Sequence, residues 1–266
     1  MQLGCNTVLF GGYDLETALR GIAFAGYQAA ELSAILGMAE HLRADLGPEH
    51  AREVRGLAER YGLALTAVEA ATNDPDRLRR ILQVSAEVGI KVVNIGPGGK
   101  AGDDESLKRS IDFVAKMSDE AARLGVTLAV KAHVGAAIYN TETTLRAIRQ
   151  IDSPGFGVDF DPSHIFRANE DPETAVLALA GKLAHVHIRD CVSREPRVGP
   201  PPDQVPGRGN IDLVALFRSL AAIGFDGPVS LEIIGALKYE LWQAQSIAAE
   251  SQGYLRRCER EAGART

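Results

Sequence analysis

Cysteine and tryptophan are scarce in this chain, and several other features are missing altogether. The three cysteines, Cys5, Cys191 and Cys258, are odd in number and far apart, so neither a disulfide framework nor a zinc ribbon is expected. No apolar run approaches the ~18–20 residues that cross a bilayer. The N-terminal Gln-Leu-Gly-Cys-Asn lacks the basic region and apolar core of a signal peptide. Together these make a cytoplasmic location the expectation, with no membrane partner. Basic charge is short as well: 29 Lys and Arg against 35 Asp and Glu leave a formal net charge of -6. With no basic cluster, nucleic acid is not an expected partner. No low-complexity linker divides the chain, so a single domain over 1–266 is expected, with a polar tail at 260–266.

What is present is a repeating alternation. Short β-rich runs at 3–6, 27–32, 63–68, 91–95, 126–130, 156–160, 183–188 and 229–233 read as strands. Amphipathic segments fall between them, among them 48–61, 76–88, 106–124, 141–151, 171–180, 211–223 and a closing helix over 239–256. Gly26, Gly62, Gly89, Gly125 and Gly224 stand where helices end and the next strand begins, a C-terminal helix signal reused along the chain. Strict alternation implies a parallel sheet covered by helices. Eight such units in 266 residues match the ~250 residues of a (β/α)8 TIM barrel, so the fold class is read as α/β, a single-domain TIM barrel. An open doubly wound sheet is the alternative, and the absence of Gly-x-Gly-x-x-Gly after the first strand counts against it.

In a barrel of this kind the active site lies at the C-terminal ends of the strands. Those ends hold Asn6, Glu31, Glu69, Gly96-Pro97-Gly98-Gly99, Lys131 with His133, Asp161 with His164, His187 and Glu232. The stretch Gly-Phe-Gly-Val-Asp-Phe-Asp-Pro-Ser-His (155–164) shows the pattern best. Alternation puts Asp159 and Asp161 on one face, and Pro162 stops the strand beside the second carboxylate. Asp161, His187 and Glu232 come from three consecutive strands; one imidazole and two carboxylates suit Mn²⁺, Mg²⁺, Co²⁺ or Zn²⁺. The competing reading is an internal salt bridge in which Lys131 supplies the cation. His185 and Asp159 read as deeper, hydrogen-bonded barrel residues.

The segments His-Val-His-Ile-Arg-Asp (185–190), Pro-Gly-Arg-Gly-Asn-Ile-Asp (206–212), Gly-Phe-Asp-Gly-Pro-Val-Ser-Leu-Glu (224–232) and Asp-Pro-Ser-His (161–164) resemble the xylose isomerase-like barrel superfamily. That group includes sugar phosphate isomerases and epimerases, ketose 3-epimerases, hydroxypyruvate isomerase, inosose dehydratase and type IV endonucleases. The resemblance runs over nearly the whole chain. It implies a divalent metal, manganese first, held by Asp161, His187 and Glu232, with His164 touching substrate. It also implies a further metal-binding Glu where this chain has Lys131, and that departure reverses a charge in the middle of the site.

The resemblance therefore implies an enzyme of carbohydrate metabolism, an isomerase or epimerase moving a proton next to a carbonyl. Glu232 is the expected base, Lys131 an acid or electrostatic stabiliser, and His133 an assisting group. Glu31, Glu69, Arg194 and Arg208 are candidate substrate contacts, the arginines for a phosphate or carboxylate. A small carbohydrate is the expected partner, and a homo-oligomer stays open, with Tyr239 and Trp242 suited to packing or a subunit contact. The alternatives are a lyase or dehydratase of a keto sugar or inosose, and a sugar-binding barrel that has lost its metal. Nuclease activity is disfavoured by the acidic charge.

Overall fold

A computed structural model describes residues 1–263. Its parallel strands are β1 (Gln2–Asn6), β2 (Ala29–Ile35), β4 (Ala64–Glu69), β5 (Val92–Ile95), β6 (Thr127–Lys131), β7 (Phe156–Phe160), β8 (Leu183–Ile188) and β9 (Pro228–Leu231). β1 bonds to β2 on one side and to β9 on the other, which closes the sheet into an eight-stranded barrel. The expected (β/α)8 architecture is therefore the one observed.

Around the barrel lie α1 (Leu15–Phe24), α2 (Gly47–Arg60), α3 (Pro75–Val88), α4 (Asp104–Arg123), α5 (Thr141–Gln150), α6 (Pro162–Arg167), α7 (Pro172–Ala178), α8 (Leu213–Ala222) and α9 (Leu241–Glu261). Local chemistry sets their ends. Asp14, Asp74, Asp103, Asn140 and Asp212 each accept a hydrogen bond from a first-turn amide, satisfying donors the helix itself cannot. Gly26, Gly62, Gly89, Gly125 and Gly224 all sit at positive φ, between 65° and 94°, a backbone state that costs glycine little. Their spacing is the clearest reason the alternation could be read.

Three features depart from the sequence reading. A short strand β3 (Ala39–Glu40) folds back antiparallel on β2. A helix, α6, begins at Pro162 with no intervening loop, because the Asp161 carboxylate caps Ser163 N at 2.8 Å and proline suits the first helical turn. The closing helix runs on to Glu261, so part of the expected polar tail is helical, and 264–266 lie outside the described residues. No described helix is long and apolar enough to cross a membrane.

The core lies between barrel and helices. Leu3, Leu32, Val68, Val93, Leu128, Val158, Val186 and Val229 on the strands pack with Leu19, Ile22, Leu78, Val114 and Leu216 on the helices. At ~1.5–3 kcal/mol for each large apolar side chain fully buried, this shell holds the strand ends that carry polar groups. The interior of the barrel is unusually polar, with Glu31, Asn94, Asp159, His185, His187 and Ser230 all at 0% exposure. Trp242 and Phe24 face outward, 66% and 87% exposed.

Candidate active site

The strand ends converge on a cavity of about 230 Å³ whose walls include Glu69, Lys131, His133, His164, Arg189 and Glu232. Below it is a closed hydrogen-bonded floor. Register places His187 on β8 beside Ser230 on β9. The His187 ring reaches Asp159 Oδ2 with Nδ1 (2.6 Å) and Glu31 Oε2 with Nε2 (2.8 Å). His185 reaches Asp159 Oδ1 (2.9 Å) and Ser230 Oγ (3.0 Å), and Asn94 Nδ2 donates to Glu31 Oε1 (2.8 Å). Every residue of this floor has a partner, as a buried polar cluster requires, although Asn94 Oδ1 accepts no hydrogen bond. His185 and Asp159 are thus the deep, bonded residues expected of them.

Charge states follow from these contacts. Burial disfavours the His187 cation, yet Asp159 and Glu31 overcome it and raise the imidazole well above its ordinary pKa. Both nitrogens then carry protons and donate. Burial likewise works against the Glu31 and Asp159 carboxylates, while His187 and His185 hold both below the usual carboxylate range.

Above the floor, Lys131 takes the centre. Its ammonium donates to Glu69 Oε1 and to Glu232 Oε1, each at 2.9 Å, and stands 3.3 Å from His187 Nδ1. Burial opposes its charge, but Glu232 and Glu69 raise its pKa above the ordinary lysine value, so it stays protonated. Glu69 also accepts from Asn6 Nδ2 at 2.8 Å. Burial and the neighbouring Glu232 charge push Glu69 up to about 8. Two carboxylates this close do not both ionise readily, and here Glu69 keeps the proton.

Arg189 supplies a second buried cation that the sequence reading passed over. It donates from Nη2 to Asp161 Oδ2 (2.7 Å) and from Nε to Ser163 Oγ (2.8 Å), and its Nη1 stands 3.2 Å from Glu232 Oε2. The signal was available: 185, 187 and 189 share one face of a strand by simple alternation. Between Lys131 and Arg189, Glu232 is held well below the usual carboxylate pKa in spite of its burial.

His164 is enclosed by donors. Its Nδ1 accepts from Val134 N at 3.1 Å, with Arg167 Nη2 also 3.1 Å away. Burial, then Arg189, hold it well below its ordinary pKa, so the ring is neutral. His133 stacks on it with ring centroids 4.0 Å apart. The His133 Nδ1 lies 3.0 Å from the Val134 carbonyl, so it carries the proton and leaves Nε2 with a free lone pair. Burial and Lys131 lower the pKa of His133 too. Ala71, in the cavity wall two residues past Glu69, has φ 38°, the kind of backbone strain that gathers at functional sites.

Two expected substrate contacts lie elsewhere. Arg194 donates to the carbonyls of Phe166 and Glu170, pairs with Asp171 and stacks on the Phe166 ring. Arg208 makes a two-pronged pair with Glu250 on α9. Neither lines the cavity; each pins the long loop after β8 to neighbouring helices. Glu31 belongs to the floor, whereas Glu69 reaches the cavity wall.

Two buried groups bring Glu and His ligand atoms within 4.8 Å of one another, Glu31 with His185 and His187, and Glu69 with His187 and Glu232. Spacing of this kind could hold a divalent metal. Asp161 is in neither group, and Ser163 N and Arg189 take up its oxygens. The donor set does not fit an ion at the cavity: His187 has no free nitrogen, and the Lys131 ammonium stands among Glu69, His187 and Glu232.

The chain matches the family model "Xylose isomerase-like TIM barrel" over residues 19–258. It belongs to that family. Among curated relatives it is 26% identical to the 3-dehydroshikimate dehydratase of Pseudomonas putida over 88% of this chain and 38% of that one. It is 24% identical to the ketose 3-epimerase of Arthrobacter globiformis, covering 87% of this chain and 83% of the relative. The chain thus spans well under half the length of the dehydratase. The solved structure of the IOLI protein with a bound zinc atom superposes with a TM-score of 0.79 at 20% identity, over 97% of this chain and 99% of that one. Relatives of this xylose isomerase-like barrel are epimerases, isomerases and dehydratases; all are enzymes, at low identity.

Proposed function

We propose that this barrel is an isomerase or epimerase of a small carbohydrate or keto sugar, moving a proton at the carbon next to a carbonyl. The observation that carries this reading is the Lys131 ammonium, 2.9 Å from Glu69 and from Glu232, in the wall of the mouth cavity. Proton abstraction beside a carbonyl needs a base, and a positive group where charge develops on oxygen. His133 is the base: neutral, with Nε2 unprotonated. The C–H bond breaks, its proton goes to Nε2, and its electron pair forms the carbon–carbon double bond. The carbonyl pair moves onto oxygen, where a Lys131 N–H donates to it. Return of a proton to the opposite face, from the protonated Glu69 carboxyl, gives the epimer. Return to the neighbouring carbon, after the hydroxyl proton has shifted, gives the aldose–ketose isomer.

Glu232, the base expected from the resemblance, is too weakly basic for that step, since Arg189 and Lys131 stabilise its ionised form. Its part is to anchor Lys131. Manganese has no step in this reaction.

The cavity also favours a hydroxylated ligand. Arg189 Nη1 and Glu232 Oε2 form a buried ion pair at 3.2 Å in which neither atom makes a hydrogen bond. A hydroxyl that opens this pair would accept from the first and donate to the second at once, while a carboxylate there would face Glu232. Such unsatisfied buried groups are costly unless a ligand or water meets them.

A second reading is favoured by the proton on Lys131. A keto sugar or inosose with a leaving hydroxyl could lose water from the same enediolate, with the ammonium protonating the departing oxygen. Incubation of ketoses, ketose phosphates, keto sugars and inososes in deuterated water tests both. Deuterium incorporation with recovered epimer or isomer supports the first reading, and an elimination product without epimer replaces it with the second. Binding without exchange or turnover on any of them would favour a non-catalytic sugar-binding barrel.

A further inference from the structure

The residues that the resemblance assigns to a metal are all engaged, and the protein's own cations engage them. Asp161 Oδ1 takes Ser163 N at 2.8 Å and Asp161 Oδ2 takes Arg189 Nη2 at 2.7 Å. The His187 nitrogens meet Asp159 and Glu31 at 2.6 and 2.8 Å. Glu232 Oε1 takes the Lys131 ammonium at 2.9 Å, and Glu232 Oε2 faces Arg189 Nη1 at 3.2 Å. Lys131 Nζ lies within 3.3 Å of one atom from each member of the Glu69, His187 and Glu232 group. All of these side chains are buried.

We infer that Lys131 and Arg189 are a built-in pair of charges that takes the place of a divalent metal at this barrel mouth, and that removing Lys131 opens a metal site on Glu69, His187 and Glu232. Two fixed unit charges match the charge of one divalent ion, and the carboxylates that would hold an ion are spent on them. An entering ion would have to displace the ammonium and would meet the guanidinium at the same carboxylate. Deleting Lys131 leaves one imidazole and two carboxylates with their ligand atoms within 4.8 Å of one another; an ion that displaces a proton from His187, loosening one of its bonds to Asp159 and Glu31, then meets a three-ligand set of a kind suited to zinc.

The inference concerns the site of the proposed reaction but does not depend on its occurring, because metal binding is read without turnover. Chelator-treated wild type, Lys131→Ala and Lys131→Gln are titrated with Zn²⁺ by calorimetry. Bound metal is counted by elemental analysis after gel filtration, and folding is checked by circular dichroism. The expected result is well below one equivalent of zinc on wild type. About one equivalent is expected on whichever Lys131 variant is folded, with affinity raised by ~100-fold or more, the upper end of what one group beside a metal changes. Adding His187→Ala should remove the gain. One equivalent on the wild type, lost with His187→Ala, would overturn the inference even if neither Lys131 variant folds. A folded Lys131→Ala that binds no more zinc than wild type would overturn it as well.

Discussion

Lys131 and Glu232 meet at 2.9 Å although 101 residues separate them in the chain. One lies at the end of β6 and the other just past β9, so the contact exists only because the sheet closes. It is also shared, since the same ammonium bonds Glu69 at 2.9 Å.

Lys131→Met should leave Glu69 without a cation and Glu232 with Arg189 alone, and lower stability by ~3–5 kcal/mol. In the double variant Lys131→Met/Glu232→Gln the carboxylate that lost its ammonium is gone as well, and part of that loss should return, a coupling of ~1–3 kcal/mol. Urea denaturation of the four proteins measures the cycle. Simple addition of the two single losses would mean that the pair does not act as a unit.

Glu69 carries its proton to about pH 8 in the folded chain, against roughly 4.3 for an unperturbed glutamate. Between those values the native state binds more protons than the unfolded one. The stability it contributes is therefore complete below about pH 4.3 and is lost as pH rises towards 8. The melting temperature of Glu69→Gln, whose side chain cannot ionise, should fall less from pH 5 to pH 8 than that of wild type. Parallel curves would place the proton elsewhere.

His133→Gln should lower kcat by ~10²- to 10⁴-fold on whichever substrate shows turnover, the usual range for removing a general base. Because burial and Lys131 lower the pKa of His133, the wild-type kcat/KM should hold down to below pH ~6.5, the ordinary histidine value. The acid limb of the profile should vanish in the variant. An unchanged profile would move the role of base to another group.

Gly155→Ala should destabilise the barrel by ~1–3 kcal/mol with the site intact. A Cβ at this position would collide with the carbonyl oxygen of Ser118 and the amide nitrogen of Ala122, both in the backbone of α4. Backbone inside a helix does not rotate out of the way as a side chain would. Thermal melts check this, and an unchanged melting temperature would mean that α4 can shift at little cost.

Periodicity made much of this protein legible in its sequence. The alternation of strand and helix, and the glycines that reappear with positive φ at helix ends, are local features, so the eight-unit barrel could be counted from them. Strand ends could be located in the same way, and with them Glu69, Lys131, His133, His164 and Glu232, which do line one cavity. Its place two residues before His187 on β8 also marked His185 as a deep residue.

Only the tertiary structure decided which of these groups meet. A period of two residues assigns a side chain to the inner face of a strand, but the depth it reaches depends on strand tilt and stagger around the closed barrel. His187 therefore lies in the floor with Glu31 and Asp159, while Glu69, on another strand, rises to share Lys131. Arg189 was visible on the same face yet carried no mark of its role, because that role is defined by Asp161, Ser163 and Glu232 from other elements. Arg194 and Arg208 differ for a related reason: a loop has no period to aim its side chains, and Asp171 and Glu250 on the neighbouring surface hold them away from the mouth. Local backbone geometry thus determined the elements and their order, and the long-range pairing of buried charges, which only closure of the sheet brings about, determined the chemistry of the site.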